Sequence, residues 1–286
     1  NQDSKELNHI FISGLPRSGT TSILNFIYSF NQHASLTYHS MPFVLSPNIS
    51  KVLNKKNIVK KERLHTDGIS YDLESPEALD EIFFKNNNNF IHKELINYLN
   101  LILISQNKSK YLSKNNNNFK RIDLINLILP NSIFLIPIRE PLQQAQSLLN
   151  QHLNFSRLQK SDDFIRRYMN YLGHNEFGLN HKPWNDPINY KDLNNINYWV
   201  EQWSLFYEHI FYQYHSYENC YFIIYEELQN SYYVEKLLNK INLINFKNSS
   251  LKFFKNSNKK IINSELNNNN YQKSLNIYEK FIKLQN

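Results

Sequence analysis

The feature that most constrains the fold is a short apolar run that leads through a glycine-containing turn into a helix. The run is His9-Ile-Phe-Ile-Ser13, and Gly14-Leu-Pro-Arg-Ser-Gly-Thr-Thr21 follows it. A buried strand, a glycine turn and a helix N-terminus in this order form a phosphate-binding turn, because backbone N–H groups and the helix dipole both attract an anion. We therefore predict an α/β protein that binds a phosphate-containing ligand at this turn.

The turn departs from the P-loop of nucleoside triphosphatases in one residue. Gly14 and Gly19 have the P-loop spacing, and Thr21 occupies the position of its last hydroxyl. The P-loop lysine, which contacts the β- and γ-phosphates, is replaced by Thr20, and the positive charge lies inside the turn at Arg17. This change favours a donor other than a nucleoside triphosphate. A kinase or nucleoside triphosphatase with a degenerate P-loop remains the alternative.

A second strand further along the chain ends in residues suited to a phosphate. Residues 132–138 are predicted to form a buried strand, and Arg139-Glu140-Pro141 begins a helix that carries Ser147. Arg139 offers a bidentate guanidinium to a phosphate, and Ser147 offers a neutral donor. The carboxyl ends of parallel strands meet at one edge of a sheet, so both motifs can contact one ligand.

Strands alternate with helices along the rest of the chain, which predicts a central parallel sheet flanked by helices. The strands are expected at 9–13, 34–38, 110–114, 132–138 and 220–225. The helices are expected at 19–30, 76–84, 91–104, 120–128, 141–152, 162–172, 192–216, 231–242 and 271–283, the second of them starting at Ser75-Pro76-Glu77. We predict a single domain over residues 1–286, with 245–286 as a C-terminal cap or tail.

Composition narrows the classes of function. A net charge of +7 favours anionic partners, but the lysines are scattered, so a nucleotide rather than nucleic acid is expected. No cluster of His, Cys and Asp has metal-ligand spacing, and Cys220 starts an apolar run and is expected to be buried. No stretch has the roughly 20 apolar residues of a membrane span, which favours a cytoplasmic protein. The sequence does not begin with methionine, so a preceding targeting segment stays an open question.

The motif Pro16-Arg17-Ser18-Gly19-Thr20-Thr21 resembles the 5′-phosphosulfate loop of sulfotransferases that use 3′-phosphoadenosine 5′-phosphosulfate (PAPS). The second strand with Arg139 and Ser147 resembles the 3′-phosphate motif of the same family. Segments at 34–43, 64–68, 75–78, 111–116 and 172–178 resemble a group of mainly bacterial sulfotransferase-like proteins. The resemblance covers most of residues 9–230. It implies a P-loop-like sulfotransferase fold, metal-free sulfonate transfer from PAPS to a hydroxyl or amine of a small molecule or glycan, and PAP as product.

The resemblance also suggests residues for the chemistry. Arg17 is expected to stabilise the leaving phosphate, and Lys114 matches the lysine of tyrosylprotein sulfotransferases. Neither the glutamate that those enzymes carry after their second strand nor the histidine of the cytosolic enzymes is found at the matching position here. His65, with Asp67 or Asp72 to orient it, is the preferred base, and His39 is the second choice.

An aromatic stripe lies in the second half of the chain. Trp199, Trp203, Phe206, Tyr207 and Phe211 recur at helical spacing, which is typical of a core-facing stripe rather than of a ligand platform. Because no base is evident from the motifs, a nucleotide-binding protein without catalytic activity is the third functional hypothesis, beside the sulfotransferase and the P-loop enzyme.

Overall fold

The structure is a computed structural model that describes residues 8–41, 43–53, 61–62, 70–86, 92–185, 188–243, 248–254 and 265–285. Its strands are β1 (Ile10–Ile12), β2 (His33–Ala34), β3 (Lys61–Glu62), β4 (Ser70–Tyr71), β5 (Lys110–Lys114), β6 (Ile133–Ile138) and β7 (Cys220–Ile224). Its α-helices are α1 (Thr20–Tyr28), α2 (Pro47–Leu53), α3 (Glu81–Asn86), α4 (His92–Gln106), α5 (Ile122–Ile128), α6 (Pro141–Ser161), α7 (Asp163–Leu172), α8 (Ile196–Tyr214), α9 (Ser231–Lys240) and α10 (Asn268–Lys283).

The central sheet has five parallel strands in the order β2-β5-β1-β6-β7, while β3 and β4 form a separate antiparallel pair. The predicted α/β architecture with a parallel sheet is therefore confirmed. Strand β1 lies at its centre, with Ile12 in register with Lys114 on one side and Leu135 on the other. This register brings the ends of three strands to the turn that follows β1.

Both faces of the sheet are covered, as its largely apolar strands β1, β6 and β7 require. Alternate residues face opposite sides, so Phe11 and Phe134 join the core cluster formed with α4, α5, α6, α8 and α10. Ile12 and Leu135 join the cluster under α1 and α9. The tryptophan-rich stripe of α8 lies in the first cluster and Trp199 and Trp203 are fully buried, so its assignment to the core is confirmed.

One helix prediction is wrong. The helix expected from Ser75-Pro76-Glu77 begins only at Glu81, and Pro76 instead forms an isolated antiparallel bridge with Thr37. The N–H of Glu77 donates to the carbonyl of Leu36 at 2.9 Å, so this segment extends the chain beside β2. The residue before a proline favours extended backbone, and here tertiary pairing uses that preference in place of a helix.

Other differences concern the extent of elements. Helix α6 continues to Ser161, nine residues beyond its predicted end, and α2 was not predicted. The C-terminal segment contains α10, which buries Ile277 and Phe281 against the main core. The hydroxyl of Ser274 on α10 is hydrogen-bonded to that of Ser204 on α8 at 2.7 Å. Cys220 is buried as predicted, and burial raises its thiol pKa to about 12. Among the described helices, none is both long and apolar enough to cross a membrane.

Candidate active site

The turn between β1 and α1 has the backbone of an anion-binding loop. Gly19 caps α1 with a left-handed φ of 99°, and a Cβ atom there would lie 2.3 Å from the ring of Tyr225. A side chain is thus excluded both by backbone conformation and by space. The Ser18 hydroxyl donates to the carbonyl of Leu15 at 2.8 Å and closes the turn from inside. The first N–H groups of α1, which lack helical partners, follow this turn.

The two predicted phosphate motifs meet in space. Arg17 has a left-handed φ of 68°, and its Nε donates to Oγ of Ser147 at 3.0 Å, across 130 residues of sequence. Nη1 of Arg139 donates to the carbonyl of Arg17 at 3.3 Å. The guanidinium of Arg139 also lies 5.4 Å from the centre of the Tyr225 ring. The arginine from the first motif, and the arginine and serine from the second, therefore form one cluster at the sheet edge.

Arg139 has hydrogen-bonding capacity to spare. Its Nη2 contacts Oε1 of Gln143 only at 3.4 Å, and its buried Nε has no hydrogen-bond partner among the described residues. A buried guanidinium nitrogen without a partner is costly, and an anionic ligand oxygen would remove that cost. The residues of the cluster therefore fit a ligand phosphate.

Core side chains hold the turn in place. Nε2 of Gln144, on α6, donates to the carbonyl of Pro16 at 3.0 Å, and its Oε1 accepts from Nε1 of Trp203 at 2.9 Å. The hydroxyl of Tyr207 donates to the carbonyl of Pro137 at 2.8 Å. The aromatic stripe of α8 thus packs as core while its polar atoms fix the ends of β1 and β6.

Helix α10 supports the same edge from outside. Glu140 caps α6 by accepting from the N–H of Gln143 at 2.8 Å, and it also accepts from the hydroxyl of Tyr271 at 2.8 Å. Glu226, after β7, accepts from the hydroxyl of Tyr278 at 2.7 Å and from the N–H of Glu140 at 3.0 Å. The C-terminal helix therefore ties together the ends of β6 and β7.

A cavity of about 110 Å³ opens beside the turn. The turn, the ends of strands, α6, α7 and the segments before α3 and after α7 all contribute to it, and both polar and apolar side chains line it. Its lining consists of Pro16, Arg17, Thr20, Thr21, Tyr38, Glu77, Leu79, Lys114, Asn116, Gln151, Phe155, Tyr168, Met169, Leu172, His174, Glu176 and Phe177.

Lys114 reaches this cavity from the last position of β5, beside Ile12. The charge of Lys114 interacts with the carboxylate of Glu176. This carboxylate accepts from Nδ2 of Asn116 at 3.3 Å and lies 3.5 Å from Nδ1 of His174. Burial opposes ionisation of Glu176, but His174, hydrogen bonds and Lys114 outweigh it and lower its pKa to about 2. The cavity therefore contains Lys114 and a carboxylate whose ionised form is favoured by His174 and Lys114.

A buried network fixes the end of β5. The carboxylate of Asp80 accepts from the hydroxyl of Ser113, and from Nδ2 of Asn115 at 3.2 Å. The carboxylate of Glu81 accepts from the same amide at 2.7 Å and from Nη1 of Arg121 at 2.8 Å. Burial raises the pKa of Asp80 to about 6, although its hydrogen bonds oppose this shift. Because the partners of Asp80 flank Lys114 on both sides, this network positions the lysine.

The structure does not bring the second-choice base to the turn. His39 lines another cavity, of about 400 Å³, together with His33, Thr37 and Glu74. The preferred base, His65, and its partner Asp67 lie outside the described residues. Asp72 accepts from the hydroxyl of Ser75 at 2.8 Å and is not among the residues that line the cavity at the turn.

Glu77 is the residue that the sequence analysis missed. It lines the cavity with Arg17 and Lys114, its Oε2 accepts from the Tyr38 hydroxyl at 2.7 Å, and its Oε1 accepts from the N–H of Ala78 at 2.8 Å. Its position depends on the long-range bridge between Thr37 and Pro76, which local sequence does not reveal. A carboxylate thus reaches the cavity from a segment that pairs with the chain just after β2.

Taken together, the strand–turn–helix unit and the arginine cluster define an α/β protein with a site suited to phosphate groups at the carboxyl edge of its sheet. The model of the sulfotransferase family matches residues 9–181, which is more than half of the chain. The chain therefore belongs to the sulfotransferase family, which supports sulfotransferase activity in general. No curated protein sequence is significantly similar to it.

Several solved sulfotransferase structures are similar to this chain at low identity. STF9 from Mycobacterium avium has 13% identity and a TM-score of 0.49, covering 98% of this chain and 77% of its own. STF1 from Mycobacterium tuberculosis H37Rv has 11% identity and a TM-score of 0.49, covering 97% and 77%. The sulfotransferase domain of the Synechococcus PCC 7002 olefin synthase has 12% identity and a TM-score of 0.46, covering 98% and 96%. None reaches a TM-score of 0.5, and the family membership rests on the sequence match.

Proposed function

We propose that the protein transfers a sulfonate group from PAPS to the hydroxyl or amine of an acceptor molecule. The observation that carries this proposal is the cluster of Arg17, Ser147 and Arg139, assembled at the ends of β1 and β6. PAPS carries two separate phosphate groups, and we assign one of them to each of the two motifs that meet in this cluster. The turn 16–21 with the N-terminus of α1 suits the 5′-phosphosulfate, and Arg139 with Ser147 suits the 3′-phosphate.

Proposed roles follow from the lining of the cavity. The acceptor oxygen forms a bond to sulfur while the bond from sulfur to the bridging oxygen of the 5′-phosphate breaks, and its electron pair remains on that phosphate. Arg17 and Lys114 are placed to neutralise the charge that develops there. The acceptor proton passes to Glu77, whose carboxylate lines the same cavity. As general base, Glu77 replaces His39, which was the second choice from the sequence. A role as base for His65, the preferred choice, with Asp67 to orient it, stays a prediction.

A ligand comparison tests the donor. PAP should raise the melting temperature far more than ADP, because ADP lacks the 3′-phosphate assigned to Arg139. A charge-assisted hydrogen bond contributes about 1.5–3 kcal/mol, so the two dissociation constants should differ by at least about tenfold. Equal shifts with PAP and ADP would refute the donor assignment. A larger shift with ATP, together with a strict requirement for Mg²⁺, would select the degenerate P-loop enzyme instead.

A matched pair of arginine variants tests whether Arg139 causes the preference for PAP over ADP. Arg139→Ala should remove most of the difference between PAP and ADP, since the partner of the 3′-phosphate is gone. Arg157→Ala is the control, because Arg157 lies exposed on the same helix and donates to Oδ1 of Asn154 at 3.0 Å. A loss of PAP preference in both variants would point to net charge rather than to a specific contact.

A further inference from the structure

Helix α10 carries two tyrosines, Tyr271 and Tyr278, on the face that packs against the main core. A separation of seven residues is about two helical turns, so the two side chains lie on the same side of the helix. Tyr278 is buried and Tyr271 is partly buried. The family match ends at residue 181, so this helix is not part of the segment that identified the family.

Each tyrosine hydroxyl donates to a carboxylate near Arg139. The hydroxyl of Tyr271 donates to Oε1 of Glu140, the next residue after Arg139, at 2.8 Å. The hydroxyl of Tyr278 donates to Oε2 of Glu226 at 2.7 Å. Burial raises the pKa of both tyrosines, and the carboxylates raise it further, so the hydroxyls keep the protons that they donate.

The peptide group between Arg139 and Glu140 is fixed from both sides. Its carbonyl accepts from Nε1 of Trp203 at 3.2 Å, and its N–H donates to Oε1 of Glu226 at 3.0 Å. Tyr278 holds the other oxygen of that same carboxylate. A rotation of the carboxylate would therefore disturb the backbone from which the Arg139 side chain extends.

The two tyrosines also occupy carboxylate oxygens that could otherwise bind Arg139. Among the ion pairs formed by the described residues, none involves this arginine. A glutamate paired with it would take the same N–H donors that a ligand phosphate requires. Hydrogen bonds from α10 to Glu140 and Glu226 thus favour a guanidinium that is available to an anion.

We infer that Tyr271 and Tyr278 are positioning residues that hold Arg139 in place for the 3′-phosphate of the donor. The inference rests on the proposed function and gives α10 a part in donor selectivity. Neither tyrosine lines the cavity at the turn, so a direct role in the chemistry is not assigned to them. Because the 5′-phosphate is assigned to the turn after β1, α10 should affect binding of PAP far more than binding of ADP.

Two conservative variants, Tyr271→Phe and Tyr278→Phe, test the inference, because each keeps the ring and removes only the hydroxyl. The full chain is titrated with PAP and with ADP by calorimetry. Loss of an outer hydrogen-bond partner weakens metal sites by roughly 10–100-fold, and we expect the lower end here, about a tenfold rise in the dissociation constant for PAP. Binding of ADP should change little. With PAPS as donor, KM should rise while kcat stays close to wild type.

Ser274→Ala is the matched control. Ser274 lies between the two tyrosines on α10, and its hydroxyl is hydrogen-bonded to that of Ser204 on α8 at 2.7 Å, so the variant weakens the docking of the same helix without removing a contact to either carboxylate. It should keep the preference for PAP over ADP. Melting temperatures without ligand check folding, and the partly buried Tyr271 keeps the test decisive if Tyr278→Phe does not fold.

The outcomes separate the inference from the proposed function. Unchanged PAP binding in either folded tyrosine variant, or an equal loss of preference in Ser274→Ala, would overturn the inference and leave the donor assignment intact. A wild-type chain that binds PAP and ADP equally well would overturn the proposed function itself.

Discussion

The backbone of Arg17 provides the sharpest test of how this site is built. Its φ of 68° lies in the left-handed region, although it is not glycine. Such a backbone costs about 1–2 kcal/mol for an ordinary residue. Strain of this kind persists where surrounding contacts enforce it, and here the Nε–Ser147 hydrogen bond and the contact of Arg139 with the Arg17 carbonyl do so.

Two substitutions separate the backbone from the side chain. Arg17→Ala and Arg17→Gly both remove the guanidinium and its contact with Ser147, so these losses cancel when the two variants are compared. Glycine gains about 1–2 kcal/mol from relief of the left-handed backbone, and loses about 0.4–1 kcal/mol to its freer unfolded chain. We therefore expect Arg17→Gly to be more stable than Arg17→Ala by about 1 kcal/mol.

Urea denaturation of the two variants measures this difference directly. Unlike stability, turnover should fall equally in the two variants. Both should lose roughly 10²–10³ in kcat through loss of a preorganised positive charge. PAP binding should fall less than turnover in both. Equal stability of the two variants would refute the argument for backbone strain. Turnover close to wild type in either of them would remove Arg17 from the chemistry.

Three further predictions concern other parts of the site and the core. Glu77→Gln should lower turnover by roughly 10²–10⁴ without loss of PAP binding, as expected for removal of a general base; His39→Gln is its control, and a larger loss there would exchange their roles. Burial holds the pKa of His33 at about 4 rather than 6.5, so the unfolded chain takes up the proton first as pH falls. Up to about 3 kcal/mol of stability should be lost between pH 7 and 4, and His33→Leu should show a smaller loss in urea denaturation at the two pH values; an unchanged pH dependence would contradict this account. Gly19→Ala should abolish the PAP-induced thermal shift, whereas Gly173→Ala, also at positive φ (79°) but outside the turn, should lower stability alone.

The sequence was sufficient to predict the parallel sheet and the meeting of the two phosphate motifs at its edge. Strands β1, β6 and β7 are continuous apolar runs, and such runs predict buried parallel strands because both of their faces must be covered. The turn at 14–21 and the arginine after β6 are local patterns, and their encounter followed from the rule that parallel strands end at one edge. Arg17, Ser147 and Arg139 were accordingly expected in one place and lie there.

The positions of Glu77 and His39 relative to the cavity beside the turn depended on tertiary structure. Glu77 follows a Ser-Pro pair that is a sound local signal for a helix start, yet long-range pairing of Pro76 with Thr37 draws it into an extended segment beside β2. His39, only two residues from Thr37, points instead into a different cavity. Local propensity cannot distinguish these outcomes, because pairing between distant segments outweighs preferences of a few tenths of a kcal/mol per residue.

By itself, then, the sequence determined the turn and the helix start that suit a phosphate, since backbone conformation and helix termini are encoded within a few adjacent residues. The tertiary structure decided which carboxylate reaches that site and which side chains line the space beside it. The cavity walls come from the turn after β1, the start of α1, the end of β5, α6, α7 and several connecting segments, and their assembly depends on packing across the whole core. Contacts between residues far apart in sequence have no local signature, which is the physical reason why Glu77 and the cavity beside the turn emerged only from the fold.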